Sequence, residues 1–150
     1  MPDRITYRIL GPGDAALLAD VAVDVFDDVP VRRWTAEFLM DARHHLAVAL
    51  QDGTIVGMAS AVHYVHPDKP PELWINEVGV SPANQGAGIG RRLLETLFAR
   101  ARELGCVQAW VLTEPDNFAA LRLYRAAGGT EAPPLVMYEF PLGSDDGRAT

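Results

Sequence analysis

The sequence predicts an α/β (α+β) domain with a central mixed, mostly antiparallel, twisted sheet of six to seven strands and about four helices. Two apolar runs, Leu46–Leu50 and Thr54–Val65, are joined across Asp52-Gly53, a strong short-range signal of an antiparallel hairpin. A β-rich run at Glu72–Val80 leads into a long amphipathic helix and then into a further run, Val107–Thr113. Strand, crossover helix and strand make parallel neighbours. At 150 residues one domain with one core is sufficient, and 1–142 is its expected extent.

The elements follow in order. Ile5, Tyr7 and Ile9 alternate with Arg4, Thr6 and Arg8, the pattern of a half-buried strand over Arg4–Leu10, which Gly11-Pro12-Gly13 ends. Asp14 can cap a helix in which Leu18, Val21, Ala22 and Val25 recur at spacings of three and four. Asp27-Asp28-Val29-Pro30 breaks it, because proline disfavours helical geometry at the preceding residue. A second helix over Arg32–Arg43 carries Trp34, Phe38 and Leu39, and the prolines Pro67, Pro70 and Pro71 keep the next loop out of any ladder. The helix Gly88–Leu104 gathers Ile89, Leu93, Leu94, Leu97, Phe98, Ala101 and Leu104 on one face, and Gly105 stops it. A short helix from Asp116 or Asn117 to Ala127 ends at Gly128-Gly129. Leu135–Leu142 is expected to close the sheet, and 143–150 to be a disordered tail.

Composition excludes several function classes. Thirteen basic residues against twenty acidic give a net charge of −7, which argues against nucleic acid or an anionic membrane as partner. There is no apolar leader segment and no run approaching ~18 apolar residues, so a soluble, cytoplasmic protein is expected. A single cysteine, Cys106, allows no internal disulfide and no cysteine-based zinc site, and it fits a small buried side chain better than an acyl carrier. His63 and His66 lack the further ligands a metal needs, so none is expected.

The stretch after Val80 carries the functional signal. Ser81-Pro82-Ala83-Asn84 turns into Gln85-Gly86-Ala87-Gly88-Ile89-Gly90 and then a helix start, where unpartnered N–H groups and the macrodipole favour an anion. A triphosphate-binding P-loop requires a Gly-Lys-Ser/Thr ending, which the chain lacks. A dinucleotide fingerprint requires Gly-x-Gly-x-x-Gly and an acid about 20 residues on; here Gly86, Gly88 and Gly90 alternate, and Trp110 stands near the acid's position. The remaining pattern is Gln/Arg-x-x-Gly-x-Gly/Ala directly after a strand.

With that loop the chain resembles the GNAT superfamily of N-acetyltransferases. The preceding Glu77-Val78-Gly79-Val80-Ser81-Pro82 and the later Asn117-Phe118-Ala119-Ala120-Leu121-Arg122-Leu123-Tyr124 are similar to the family's strand end and its Asn-x-x-Ala-x-x-x-Tyr helix. The resemblance implies the GNAT fold, with strands splayed at an acetyl-CoA site and acetyl-CoA as co-substrate. It implies that the amides of Gln85, Gly86, Ala87, Gly88, Ile89 and Gly90 hold the pyrophosphate. It also implies that Val78, Gly79 and Val80 carry the pantetheine as an added strand, with the Val78 amide as oxyanion donor. Arg91 either assists the phosphates or is a solvated surface charge, and Asn117 caps its helix, contacts the pantetheine, or does both. A homodimer is expected from the resemblance alone.

Acetyl transfer to an amine requires a deprotonated nucleophile, an oxyanion donor and a proton for the leaving thiolate. Glu77 is the candidate base: glutamate is depleted in strands, and this one shares strand parity with the apolar Leu73 and Ile75. It is alternatively an anchor for a cationic acceptor, with His63 as another base. Tyr124 is a core residue by spacing, and by resemblance the acid that protonates the thiolate. Within the superfamily the chain resembles the aminoglycoside 3-N-acetyltransferase branch, through Leu10-Gly11-Pro12-Gly13-Asp14, Val25-Phe26-Asp27-Asp28, Glu72-Leu73-Trp74-Ile75 and Val136-Met137-Tyr138-Glu139-Phe140. It departs from that branch at Gln85, where arginine is commoner, and at Glu77, where aspartate is. Asp27 and Asp28 suit a small-molecule acceptor of cationic amine type; other acetyltransferase acceptors and a non-catalytic acetyl-CoA-binding module are the rival readings.

Overall fold

The structure, a computed structural model, describes residues 4–144. Among them five strands form one sheet in the order β1-β2-β3-β4-β5. They are β1 Ile5–Ile9, β2 His44–Gln51, β3 Thr54–Tyr64, β4 Glu72–Val80 and β5 Ala109–Val111. The first four are successively antiparallel, and β5 is parallel to β4. The hairpin turns where the sequence places it, with Asp52 and Gly53 both at positive φ, 52° and 81°. Three α-helices accompany the sheet: α1 Arg32–Met40, α2 Ile89–Glu103 and α3 Phe118–Ala126.

The sheet therefore has fewer strands than expected, and the difference lies at the C-terminal end. Leu135–Leu142 is not a strand of this sheet; every residue from 128 to 144 is exposed. Pro133-Pro134 remove two ladder donors at its entry, and β5, expected over Val107–Thr113, is only Ala109–Val111. Of the expected tail 143–150, only residues 143 and 144 fall within the described residues.

The first expected helix is also different. Pro12–Ala19 is a 3₁₀ segment, with the Asp14 carboxylate accepting from the Gly11 amide at 2.7 Å. Beyond it the backbone leaves helical geometry because β3 captures it. Ile55 donates to the Asp20 carbonyl at 3.0 Å, Ala22 donates to the Ile55 carbonyl at 2.9 Å, and Asp24 sits at φ 62°. Residues 20–30 form a strap across the sheet.

Each sheet face has its own core. Ala47, Ala49, Ala59, Ala61, Leu73 and Ile75 meet Ile89, Leu93, Leu94, Leu97 and Ala101 of α2. Leu46, Val48, Ile55 and Met58 meet Leu10, Val25 and Leu39 on the side of α1 and the strap. Burying each large apolar side chain of α2 is worth about 1.5–3 kcal/mol, so this stripe fixes where the helix begins. No helix among the described residues is long and apolar enough to cross a membrane.

His45 and His63 meet on the α2 face, Nε2 to Nδ1 at 2.8 Å, with rings stacked 5.0 Å apart. Burial of His45, then the positive charge His63 would carry, then Arg100, depress its pKa from 6.5 to about 4. The unfolded chain therefore binds a proton that the folded chain refuses between these values. Stability is full above pH 6.5 and falls toward pH 4 with a limiting slope of about 1.4 kcal/mol per pH unit. Urea midpoints measured from pH 7 to 4.5 are expected to fall steeply in the wild type and less in His45→Asn.

Candidate active site

One irregularity in β4 organises the site. Ser60 of β3 pairs with Glu77 and the next residue, Ala61, pairs with Ile75, so Asn76 is an extra residue, a β-bulge. The bulge reverses side-chain parity. Leu73 and Ile75 face α2, whereas Glu77 turns to the opposite face, beside Ser60. This corrects the expectation that Glu77 shares a face with Leu73 and Ile75: an unbroken period of two does not survive an inserted residue.

The same strand leaves backbone unpaired. β5 pairs with β4 only over Leu73–Ile75. Ser81 donates to the Val56 carbonyl at 2.9 Å, and alternation along the ladder then turns the polar groups of Gly79 and Glu77 toward β3 and those of Val78 and Val80 toward the other edge. That edge is open beyond Ile75. The Gln85 side-chain amide occupies one of its acceptors, donating to the Val80 carbonyl at 3.1 Å.

The glycine loop follows at once. Gly86 and Gly88 lie at φ 81° and 79°, values that an L side chain rarely adopts, and Gly88 is the N-cap of α2 without a side-chain cap. The N–H groups of Ile89, Gly90 and Arg91 have no intrahelical acceptor, so they and the loop amides fit the anionic phosphates of a coenzyme. A Cβ on Gly90 would stand 3.1 Å from Leu123, so this glycine admits α3 against α2. The Arg91 guanidinium pairs with Glu95 at 3.2 Å on the exposed helix surface, which favours the solvated reading of that residue.

A pocket of about 260 Å³ opens on the face to which Glu77 turns. Phe26, Val29, Trp34, Phe38 and Leu46 wall it, and Asp28, Thr35, Ser60 and Glu77 are its polar groups. Ser60 is only 8% exposed and lies directly across the ladder from Glu77. Desolvation by the walls, and then the charges of Asp27 and Asp28, raise the Glu77 pKa above the usual carboxylate range. The structure thus brings together Asp27, Asp28 and Glu77.

Tyr124 of α3 is half-buried against the α2-side core, to which the side chains of Val78 and Val80 also pack, and burial raises its hydroxyl pKa, keeping it protonated. Asn117 caps α3, its side-chain Oδ1 accepting from the Ala120 amide at 3.2 Å. His63 is bonded to His45 on the face opposite Glu77 and does not line the pocket. Cys106 is partly buried with a raised pKa, which disfavours the thiolate. Among the described residues no group of His, Cys, Asp and Glu could hold a metal ion. A larger open groove of about 660 Å³ lies between β1 and α2, but its charges pair among themselves, Arg92 with Glu95 and Arg100 with Glu103.

Sequence reasoning missed the Asn76 bulge, Ser60 and the aromatic walls. Trp34 and Phe38, four apart on α1, were the available signal. It also missed an aromatic cluster on the Glu77 face, where Trp74 stacks on Trp110 at 5.0 Å and the Trp110 indole donates to the Tyr64 hydroxyl at 2.8 Å.

Residues 15–128 match the Acetyltransferase (GNAT) family, and the chain belongs to it. N-alpha-acetyltransferase RimI of Mycobacterium tuberculosis is 38% identical over 84% of this chain and 78% of its own length. An aminoglycoside N(6')-acetyltransferase type 1 of Stenotrophomonas maltophilia is 30% identical over 91% of this chain and 94% of its own. Mycothiol acetyltransferase of Thermomonospora curvata is 33% identical over 94% of this chain, which spans 49% of that relative's length. Among solved structures, an aminoglycoside acetyltransferase from an uncultured soil metagenomic sample superposes with a TM-score of 0.81 at 20% identity, covering 93% of this chain and 97% of that one.

The strap that frames the pocket is seated by Gly79, where a Cβ would fall 1.9 Å from the Val25 carbonyl oxygen. Gly79→Ala is therefore expected to destabilise by about 3 kcal/mol and to lower Tm by about 6–12 °C in a domain of this size. An unchanged melting temperature would show that the strap is not held there.

Proposed function

We propose that the chain is an acetyl-CoA-dependent N-acetyltransferase that moves an acetyl group to a primary amine by direct attack, the acceptor being a small cationic amine such as an aminoglycoside. The observation that carries this reading is the open backbone edge of Val78 and Val80, lying between the glycine loop and the Glu77 pocket. Acetyl-CoA supplies the activated acetyl group. The loop amides and the α2 N-terminus hold its phosphates, and Val78 and Val80 align its arm along the strand. The Val78 amide donates to the developing oxyanion.

The acceptor approaches from the pocket side. Asp27 and Asp28 attract its ammonium, whose pKa is about 10.4 for a lysine-like amine, and Glu77 takes a proton from it directly or through water. Tyr124, across the sheet, protonates the leaving thiolate. A second reading, an N-terminal amine of a protein as acceptor, is favoured by the apolar walls Phe26, Val29, Trp34 and Phe38 and by the similarity to RimI. For either acceptor we propose a cytoplasmic location.

Thiol release from acetyl-CoA over a panel of aminoglycosides, small amines and peptides tests the proposal. Release with aminoglycosides supports the leading acceptor, release with peptides alone selects the second reading, and coenzyme binding without release on any amine leaves only a binding module. Tyr124→Phe is expected to lower kcat by about 100-fold or more with little change in acetyl-CoA affinity; an unchanged kcat removes Tyr124 as the acid. Glu77→Gln should lower kcat, whereas a rise in acceptor KM alone would make Glu77 an anchor.

The pH profile gives a further check. A base must be ionised, so kcat/KM falls as pH drops through the Glu77 pKa. Removing a neighbouring negative charge lowers that pKa, so Asp27→Asn should move the acidic limb to lower pH. A limb that stays in place, or moves up, would assign it to another group.

A further inference from the structure

We infer that Tyr64, Trp74 and Trp110 form a side-chain clamp that ends the β4–β5 ladder at Ile75 and so fixes where the acetyl-CoA arm begins to pair along Val78 and Val80. The inference rests on the function proposed above and adds positioning residues to it. The ladder itself is weak. β5 pairs with β4 only at Leu73, Trp74 and Ile75, through Ala109, Trp110 and Val111, and among the described residues no strand lies on the outer side of β5. A short parallel pair at a sheet edge has few backbone bonds to resist local opening.

Side chains supply what the backbone lacks. Trp74 and Trp110 are register partners, and their rings stack 5.0 Å apart at an interplanar angle of 11°. The Trp110 indole N–H reaches past β4 and donates to the Tyr64 hydroxyl of β3 at 2.8 Å. One hydrogen bond therefore joins the two strands that flank β4, one residue before the last β4–β5 pair. Tyr64 is braced in turn. Its ring meets His66 edge-on at 5.1 Å, and the His66 Nε2 lies 3.1 Å from the carboxylate of Glu72, the ladder partner of Tyr64. Neither core includes Tyr64, Trp74 or Trp110, so their contacts serve the strands they join rather than the general packing.

Where the ladder stops decides what the ligand meets. Leu73 donates to the Gln108 carbonyl at 2.9 Å, so before the Asn76 bulge the polar groups of Leu73 and Ile75 point toward β5, and beyond it those of Val78 and Val80 point the same way. With β5 held at Ile75, the first free groups are those of Val78, the residue proposed to meet the developing oxyanion. If β5 came away, all four residues would form one longer open edge. An arm pairing as an added strand would then have several registers to choose from, and only one sets the thioester carbonyl at Val78.

The test uses variants that remove the bond and keep the rings. Tyr64→Phe removes the hydroxyl, and Trp110→Phe removes the N–H while leaving a ring on Trp74. Each is expected to lower kcat/KM for acetyl-CoA by about two- to tenfold, the range for one such bond. The Kd of the nucleotide diphosphate fragment of coenzyme A, which has no arm, should stay at the wild-type value, a separation that a merely destabilised fold would not produce. The double variant should be no worse than the worse single one, because both changes remove the same bond. Hydrogen exchange of the Leu73 amide should quicken in all three, with the amides of β2 unchanged. Unchanged kcat/KM or unchanged Leu73 exchange in Tyr64→Phe overturns the clamp, as do equal losses for fragment and acetyl-CoA, or effects that simply add in the double variant. A wild-type chain that transfers no acetyl group overturns the proposed function instead, and the Leu73 exchange then decides by itself whether the clamp holds β5.

Discussion

The parting of β4 from β5 after Ile75 is the constraint on which the rest depends. A sheet normally pairs every backbone group it can, because a polar group removed from water without a partner costs about 1–3 kcal/mol. Here two residues of a central strand, Val78 and Val80, keep groups directed to an empty edge, and water tolerates this only because the edge is open. A ligand that supplies alternating donors and acceptors replaces that water at little cost. The glycine loop immediately after Val80 places partial positive charge at the end of the same edge, so strand and loop form one continuous surface of backbone groups.

The Asn76 bulge gives the edge its two sides. With one residue inserted, Glu77 faces the acidic, aromatic pocket while Val78 and Val80 face the α2 core and Tyr124. The Glu77 carboxyl and the Tyr124 hydroxyl thereby lie on opposite sides of one strand. A regular strand would have directed Glu77 into the leucines of α2, where an ionised carboxylate would be expelled or neutralised. The strap completes the arrangement: anchored to Ile55 and pressed on Gly79, it carries Asp27 and Asp28 close enough to raise the affinity of Glu77 for a proton.

The parts that were legible in the sequence are those set by local rules. The Asp52-Gly53 turn, the bounds of β4, the apolar stripe of α2, the Asn117 cap and the left-handed glycines each follow from a few adjacent residues. The parts that were not legible depend on distant partners. Val21 and Val25 have helical spacing, yet β3 hydrogen bonds pull the strap out of helical geometry. Leu135–Leu142 has the composition of a strand, yet it joins no strand of this sheet, because composition alone supplies no partner. The parity of Glu77 failed for a similar reason, because a bulge is visible only as a register shift against Ser60 and Ala61.

This division also bears on how the acceptor is chosen. The coenzyme edge is made of backbone, so its requirements reduce to a strand end, glycines and a helix start, a compact pattern that relatives with different acceptors can share. The pocket is made of side chains from separate stretches: the 3₁₀ segment, the strap, α1, β2, β3 and β4. None of Phe26, Asp28, Trp34 or Phe38 contributes to the open edge of β4 or to the α2 N-terminus. Substitution along the strap and α1 would thus change the pocket while the edge, the loop and Tyr124 stay unchanged. In this chain the open edge is an arrangement of backbone, and the pocket is a surface of side chains laid across it.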